Sequence, residues 1–441
     1  MHLVTRSIAR FLALILLVGL GAKAASAVET PYLVADMDSG RVLAARNAHQ
    51  EWYPASITKL MSAYVVFKAI REGKVSLASH VVVSRNALNE QPSKMGFKVG
   101  TVIDLDNALK MMLVHSANDI AMAIGETIGG SEAGFVAMMN AEAARLGMTN
   151  SRFINPNGLP GEGQYTTARD LALLARALWT EFPERRQLYG ITAIRSGKRV
   201  LKSANSLLER YPGSSGMKTG FICASGFNVV ATASRGGNTL VAVVLGSSNG
   251  RERAELTARL MNQSFGSLAL PGNRPTLASF RGASPIAGPI NMRDDICNRK
   301  ERGEHEAETA AAPKLPSALV PRVKLMEPVV VSTIGVRNAD GSIKSAAVAE
   351  AEDQAAAAAK KDKKGKAAKS GKQGSDKKAA AKPAPKPVAR KDAQKDAGND
   401  TPTKVTKTNA KAPAKPKIEI GVPFESTDIA PLPDSALAIS Q

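Results

Sequence analysis

Residues 216–247 read GMKTGFICASGFNVVATASRGGNTLVAVVLGS, and they decide the fold. Three extended runs, GMKTGFICAS, GFNVVATASR and NTLVAVVLGS, are rich in Val, Thr, Phe and Ala and are separated by short glycine-containing turns. That spacing predicts successive antiparallel strands. Working outward, a helical periodicity follows at about 249–265, and others precede the strands near 131–146 and 166–178. Further upstream, "YLVADM", a "DSG" turn and "RVLAARN" make a hairpin between Pro31 and Trp52, and a helix runs from Ser56 to about Arg71, where Glu72 and Gly73 end it. Hairpin, helices, strands and a last helix, in that order, imply an α/β (α+β) domain. One antiparallel sheet is completed by both ends of the domain and helices flank it.

The chain has 441 residues, enough for this domain and more. Arg6 and Arg10 precede the apolar run FLALILLVGLG, and Ala25, Ser26 and Ala27 are small residues suited to signal-peptidase cleavage. The run is well short of the roughly 18 residues a membrane span needs. Residues 1–27 are therefore expected to be a signal peptide, with an exported mature chain from Val28, periplasmic or in the cell envelope, soluble or peripherally associated. The catalytic domain is expected over 28–268. Residues 269–350 are poorly patterned, a linker or small β region in which "EPVVVSTIGV" suggests a strand or two.

The net charge is +20, and more than half of the excess falls in 351–417. That segment is Lys-, Ala- and Pro-rich and lacks aromatic residues, so it reads as a disordered basic segment, with 418–441 as a C-terminal tail. An exported chain whose basic stretch offers no stacking side chains argues against nucleic acid. An anionic envelope surface is the partner such a tail would take, by screened electrostatics. The only cysteines, Cys223 and Cys297, leave open whether they pair, and they and the five histidines show no metal-ligand spacing.

Three short motifs carry the chemistry. In YPASITKLM, Ser56 and Lys59 stand one helical turn apart, so the amine faces the hydroxyl. HSANDIA supplies Ser116 and Asn118 at the start of another helix, and GMKTGF supplies Lys218, Thr219 and Gly220 on the first of the three strands. A serine needs an adjacent base to become a nucleophile, and Lys59 serves if burial and a second nearby cation keep its amine neutral. Lys218 would be that cation and would also attract an anionic substrate end. Thr219 adds a hydroxyl for the same carboxylate, and Gly220 lets the backbone come close. Asn118 can donate to and accept from a peptide backbone, and Ser116 can relay a proton between Lys59 and a leaving amine.

With these three motifs in this order, the sequence resembles the D-alanyl-D-alanine carboxypeptidases among the low-molecular-weight penicillin-binding proteins, relatives of the class A β-lactamases. FINPNGLP at 153–160 and YTTARDLALLARAL at 165–178 look like further segments of the family, and the likeness extends over about 31–266. The resemblance implies a β-lactamase/transpeptidase-like fold. It also implies a Ser56 acyl-enzyme with Lys59 as general base, and an oxyanion hole made by the backbone N–H groups of Ser56 and Phe221. No cofactor or metal is implied. The substrates would be peptidoglycan stem peptides, in cell wall biogenesis, and β-lactams would be inhibitors. Many members add a compact β-rich domain and an amphipathic anchoring helix, and neither is evident here.

Rival readings use other residues. GSSNG at 246–250 fits a nucleophile elbow on Ser248, but the preceding strand arrives through a tight antiparallel turn, so a turn capping the last helix is expected. A β-lactamase would need a deacylating carboxylate, for which Glu162 is the candidate, and a D,D-endopeptidase would use the same apparatus. His115 is left as a packing or surface residue. A non-enzymatic reading makes the chain an envelope-binding protein acting through its basic tail.

Overall fold

The computed structural model describes residues 29–268, 273–298, 316–324, 326–349 and 351–352. The expected signal peptide, most of the basic segment and the C-terminal tail lie outside the described residues.

The central sheet has five antiparallel strands: β1 (Tyr32–Asp36), β2 (Val42–Arg46), β3 (Ser214–Ile222), β4 (Gly226–Arg235) and β5 (Asn238–Ser247). Their order is β2-β1-β5-β4-β3, so the N-terminal hairpin docks on the last strand, with Tyr32 opposite Val244. The two ends of the domain thus close one sheet, as the order of elements implies. The middles of β4 and β5 are mostly apolar because both faces are buried there. Val230, Val241, Val243 and Leu245 enter the larger core, while Val229, Ala231, Ala242 and Val244 enter a second core on the other face. The alternation of side chains along a strand makes this division, and it forces helices onto both faces.

On the larger core lie α1 (Thr58–Arg71), α2 (Leu105–Val114), α3 (Asn118–Gly129), α4 (Glu132–Arg145) and α5 (Ala168–Glu181). α1 is buried nearly all round, from Thr58 to Phe67, which marks it as the central helix. On the second core lies α6 (Gly250–Ser267), through Ala254, Ala258, Leu260 and Met261. Side chains cap the helix starts: Asp104 accepts from Asn107 N–H at 2.7 Å, Ser131 from Gly134 at 3.0 Å, and Asn249 from Glu252 at 2.9 Å. The 246–250 turn therefore starts α6. The Ser248 hydroxyl donates to Glu252 within it.

Shorter strands escaped the sequence reading. A hairpin joins Ala193–Ser196 to Arg199–Lys202, and His80–Val82 pairs with Thr101–Asp104. Residues from the poorly patterned region extend both. Val329–Val330 runs parallel to 194–195, and Gly335–Val336 pairs with 101–102. Cys223 and Cys297 are joined in a disulfide, with their Cα atoms 5.7 Å apart.

Candidate active site

The nucleophile candidate sits on a short 3-10 turn, Ala55–Ile57, that feeds α1. Ala55 carries φ of +48°, a left-handed conformation that a residue with a Cβ holds only under constraint. Two glycines make room for this turn. A Cβ on Gly158 would stand 1.8 Å from the Ala55 carbonyl oxygen, and one on Gly220 would stand 3.1 Å from the Ser56 nitrogen. β3 is the last strand of the sheet, and at Gly220 its free edge comes against the Ser56 turn. This brings the backbone at Phe221 beside Ser56.

Lys59 is completely buried, and its Nζ donates to Ser56 Oγ at 3.0 Å, to Asn118 Oδ1 at 2.7 Å and to the Asn157 carbonyl at 2.5 Å. Burial drives its pKa well below the ordinary lysine value, and the Lys218 charge lowers it further. In the neutral form two N–H groups serve Asn118 and Asn157, and the lone pair is left to accept the hydrogen bond from the Ser56 hydroxyl. Lys218, also buried, donates to Ser116 Oγ at 3.0 Å and to the Thr219 carbonyl at 2.9 Å. Burial first, and then the Arg253 charge, push its pKa down to about 7.

Ser116 has φ of +64° and lies just outside α3, whose N-cap is Ala117 with no side-chain cap. Its hydroxyl is thus not spent on capping and meets Lys218 instead. Asn118 opens α3, and both ends of its amide are engaged: Oδ1 accepts from Lys59, and Nδ2 donates to the Gln91 carbonyl at 2.8 Å. Ser56, Ser116, Asn118, Lys218, Thr219 and Gly220 all line one cleft of about 630 Å³, joined by Phe221, and Lys59 reaches it from beneath through Ser56 and Asn118. His115 lines the same cleft, and burial lowers its pKa. Glu162 is exposed and is not part of the cleft wall.

Other contributors were missed. Arg253 of α6 lines the cleft, 6% exposed, and donates to the carbonyls of Ala204 at 2.9 Å and Asn228 at 3.4 Å. No ion pair holds it among the described residues, so its charge is free for a ligand. Its position in a plainly amphipathic helix gave no signal. Asn157 lies within FINPNGLP, and it is the backbone of this loop that works: the Pro156 carbonyl accepts from Ser62 Oγ at 2.6 Å, beside the Asn157–Lys59 contact. Asp119 receives the N–H groups of Met95 at 3.0 Å and Gly96 at 2.8 Å, pinning the loop that roofs the cleft.

A serine bonded to a buried lysine, a second hydroxyl–lysine pair facing it, and an edge strand alongside make an arrangement with the parts that serine acyl transfer requires, on a mixed helix and antiparallel-sheet scaffold. The family model for D-alanyl-D-alanine carboxypeptidase matches residues 21–249, more than half the chain, and the chain belongs to that family. It is 34% identical over 247 residues to D-alanyl-D-alanine carboxypeptidase DacC of Escherichia coli K12, covering 53% of this chain and 60% of that one. To DacB2 of Mycobacterium tuberculosis it is 33% identical over 220 residues, 48% of this chain and 73% of the relative. Among solved structures, penicillin-binding protein 6B from E. coli aligns with TM-score 0.51 and 32% identity, over 53% of this chain and 76% of that one. Penicillin-binding protein 5 from Haemophilus influenzae aligns with TM-score 0.52 and 30% identity, over 56% and 73%. The chain spans about 60% of the length of several of these curated relatives.

Proposed function

We propose that the chain is an exported serine D,D-carboxypeptidase that removes the terminal D-alanine from peptidoglycan stem peptides through an acyl-enzyme on Ser56. The observation that carries this reading is the Lys59–Ser56 contact of 3.0 Å, made by an amine whose burial favours the neutral form. Lys59 takes the Ser56 proton as Oγ attacks the penultimate carbonyl carbon. The developing oxyanion is received by the N–H groups of Ser56 and Phe221, where one such donor is worth roughly 3–4 kcal/mol of barrier. Ser116, held by Lys218, passes a proton to the leaving D-alanine nitrogen, and water then hydrolyses the ester. The free carboxylate of the substrate is met by Thr219, Lys218 and Arg253, three donors suited to that charge. Binding that carboxylate restores the charged form of Lys218. Asn118, through its amide, fixes both Lys59 and the peptide beside it.

Penicillins, whose strained amide mimics the D-alanyl-D-alanine end, would acylate the same serine. Full-length wild type and Ser56→Ala, each incubated with a fluorescent penicillin and with a peptide ending in D-alanyl-D-alanine, test the reading. Label and free D-alanine release are expected in the wild type and neither in the variant. Release that survives the substitution would place the nucleophile elsewhere. Export to the periplasm or envelope follows from the same reading and from the N-terminal pattern of residues 1–27. Cell fractionation is the check, and an unprocessed cytoplasmic chain would contradict it.

A further inference from the structure

The strand that carries Lys218, Thr219 and Phe221 is the edge of the sheet, hydrogen-bonded to β4 on one side only. An edge strand facing a cleft has no second strand to hold it in place, yet an oxyanion donor works only if it is fixed before the charge develops. Something outside the sheet must brace its C-terminal end.

Residues 273–298 do so, and they lie beyond the part of the chain that the family model matches. Cys223, two positions after Phe221, is bonded to Cys297 of a short helix, Arg293–Cys297. Next to it, the Met292 N–H donates to the Ala224 carbonyl at 3.0 Å. The segment is itself anchored beside the nucleophile turn. The Gln50 amide takes the Ile286 N–H at 3.0 Å and donates to the carbonyls of Ile286 at 3.2 Å and Gly288 at 3.1 Å. Two residues on, Trp52 Nε1 donates to the Ser225 carbonyl at 2.9 Å, in the same β3–β4 turn. The stretch ahead of Ser56 and the stretch after Phe221 are therefore tied to one another twice, directly by Trp52 and Ser225 and through this segment, with the disulfide as its covalent link.

We propose that Cys223 and Cys297 are positioning residues for acyl transfer: their disulfide fixes the β3–β4 turn so that the Phe221 N–H meets the forming oxyanion. Reduction converts the bond to two thiols with two electrons and two protons from a dithiol, which closes to its own disulfide. The noncovalent contacts remain, but the turn loses its fixed attachment. The effect falls on the acylation step rather than on initial binding, because Lys218 and Thr219 lie further along β3 from the turn and Arg253 is held on α6, outside the strand altogether. The inference rests on the Ser56 reading and adds to it a dependence on thiol oxidation.

The test uses the full-length protein, oxidised, reduced with dithiothreitol, and as Cys297→Ser, with benzylpenicillin over a concentration series that separates the binding constant from the acylation rate constant. Far-UV circular dichroism confirms that each form is folded at the temperature used. The expected result is an acylation rate constant at least tenfold lower in the reduced protein, a binding constant within twofold, and recovery on reoxidation. The serine variant should match the reduced protein; if it does not fold, reduced wild type carries the measurement. An unchanged acylation rate constant, with only a lower melting temperature, would overturn the proposal and leave the disulfide a stabilising link. A rise in the binding constant with the rate constant intact would overturn it too. Absence of acylation in the oxidised protein is a different result, which removes the Ser56 reading and this inference with it.

Discussion

Lys59 and Lys218 are two buried amines, one behind the cleft and one in its wall, and each pays for its place in folding free energy. Lys218 has its pKa pushed down to about 7 from an unfolded value of 10.5. Between those two pH values the unfolded chain holds a proton that the folded one lacks, so stability rises with pH across that window, and below about 7 the folded state bears the full cost of the buried charge. Lys218→Met is expected to gain about 2 kcal/mol at pH 6, roughly 4–8 °C in melting temperature, while losing D-alanine release. A variant no more stable than wild type would mean that the cleft solvates the charge. The same titration shapes activity. The free-enzyme kcat/KM is expected to fall in acid as Lys59 gains its proton and to fall again through about pH 7 as Lys218 loses its own. Lys218→Arg, which keeps its charge, moves the alkaline limb upward; a limb that stays in place assigns it to another group.

Arg253 belongs to the same scale. It is a buried cation without an ionic partner among the described residues, and burial pulls its pKa down only to about 10, so it stays charged at neutral pH. Removing a charge-assisted hydrogen bond to a carboxylate costs roughly 2–3 kcal/mol. Arg253→Gln is thus expected to raise KM for a D-alanyl-D-alanine peptide by about 30- to 100-fold. The same peptide ending in an amide should be nearly indifferent to the change. Equal losses on both peptides would remove Arg253 from carboxylate recognition.

At the scale of elements, the site depends on a turn, a loop and a strand being closer than side chains would permit. Gly158 has φ of +85° and faces the Ala55 carbonyl, whereas Gly147, at +71°, has nothing within 4 Å of its absent Cβ. Gly147→Ala is expected to cost about 1 kcal/mol from backbone conformation alone. Gly158→Ala should cost roughly 3 kcal/mol or more, because the Ser56 turn must also move. Thermal melts of the two variants side by side separate the effects, and equal losses would mean that the loop gives way without cost. The motifs at 56–59 and 218–220 were legible in the sequence because residue type and local spacing carry them. The loop at 156–158 was visible only as a family segment, since it acts through carbonyl groups that every residue possesses.

For the whole molecule, the described residues after 315 are bound to the catalytic scaffold. Besides the two added strands, Arg322 pairs with Glu209 at 3.1 Å, and the Ala318 N–H donates to Glu255 at 2.9 Å. The 193–202 hairpin that they extend reaches the roof of the cleft through Arg199, which donates to the Met95 carbonyl at 3.1 Å. A chain ending at residue 315 is expected to lose about 1–3 kcal/mol of stability and to label more slowly with penicillin. A truncated chain with unchanged melting and labelling would make the extension a passenger.

By itself the sequence determined the order of elements, the antiparallel strands of a sheet flanked by helices, and the serine, lysine, asparagine and threonine placed on the right kinds of element. Those properties are local: periodicity, turn chemistry and residue type at short spacing. Only the tertiary structure decided that the two cysteines pair, that residues 329–336 extend strands more than a hundred positions away, and that Arg253 joins the cleft. Each depends on chain segments distant in sequence meeting in space. Strands of two or three residues carry too short a pattern to announce such meetings. The low pKa of Lys59 belongs with them, because a lysine becomes a base only when the fold has removed it from water and set Lys218 nearby.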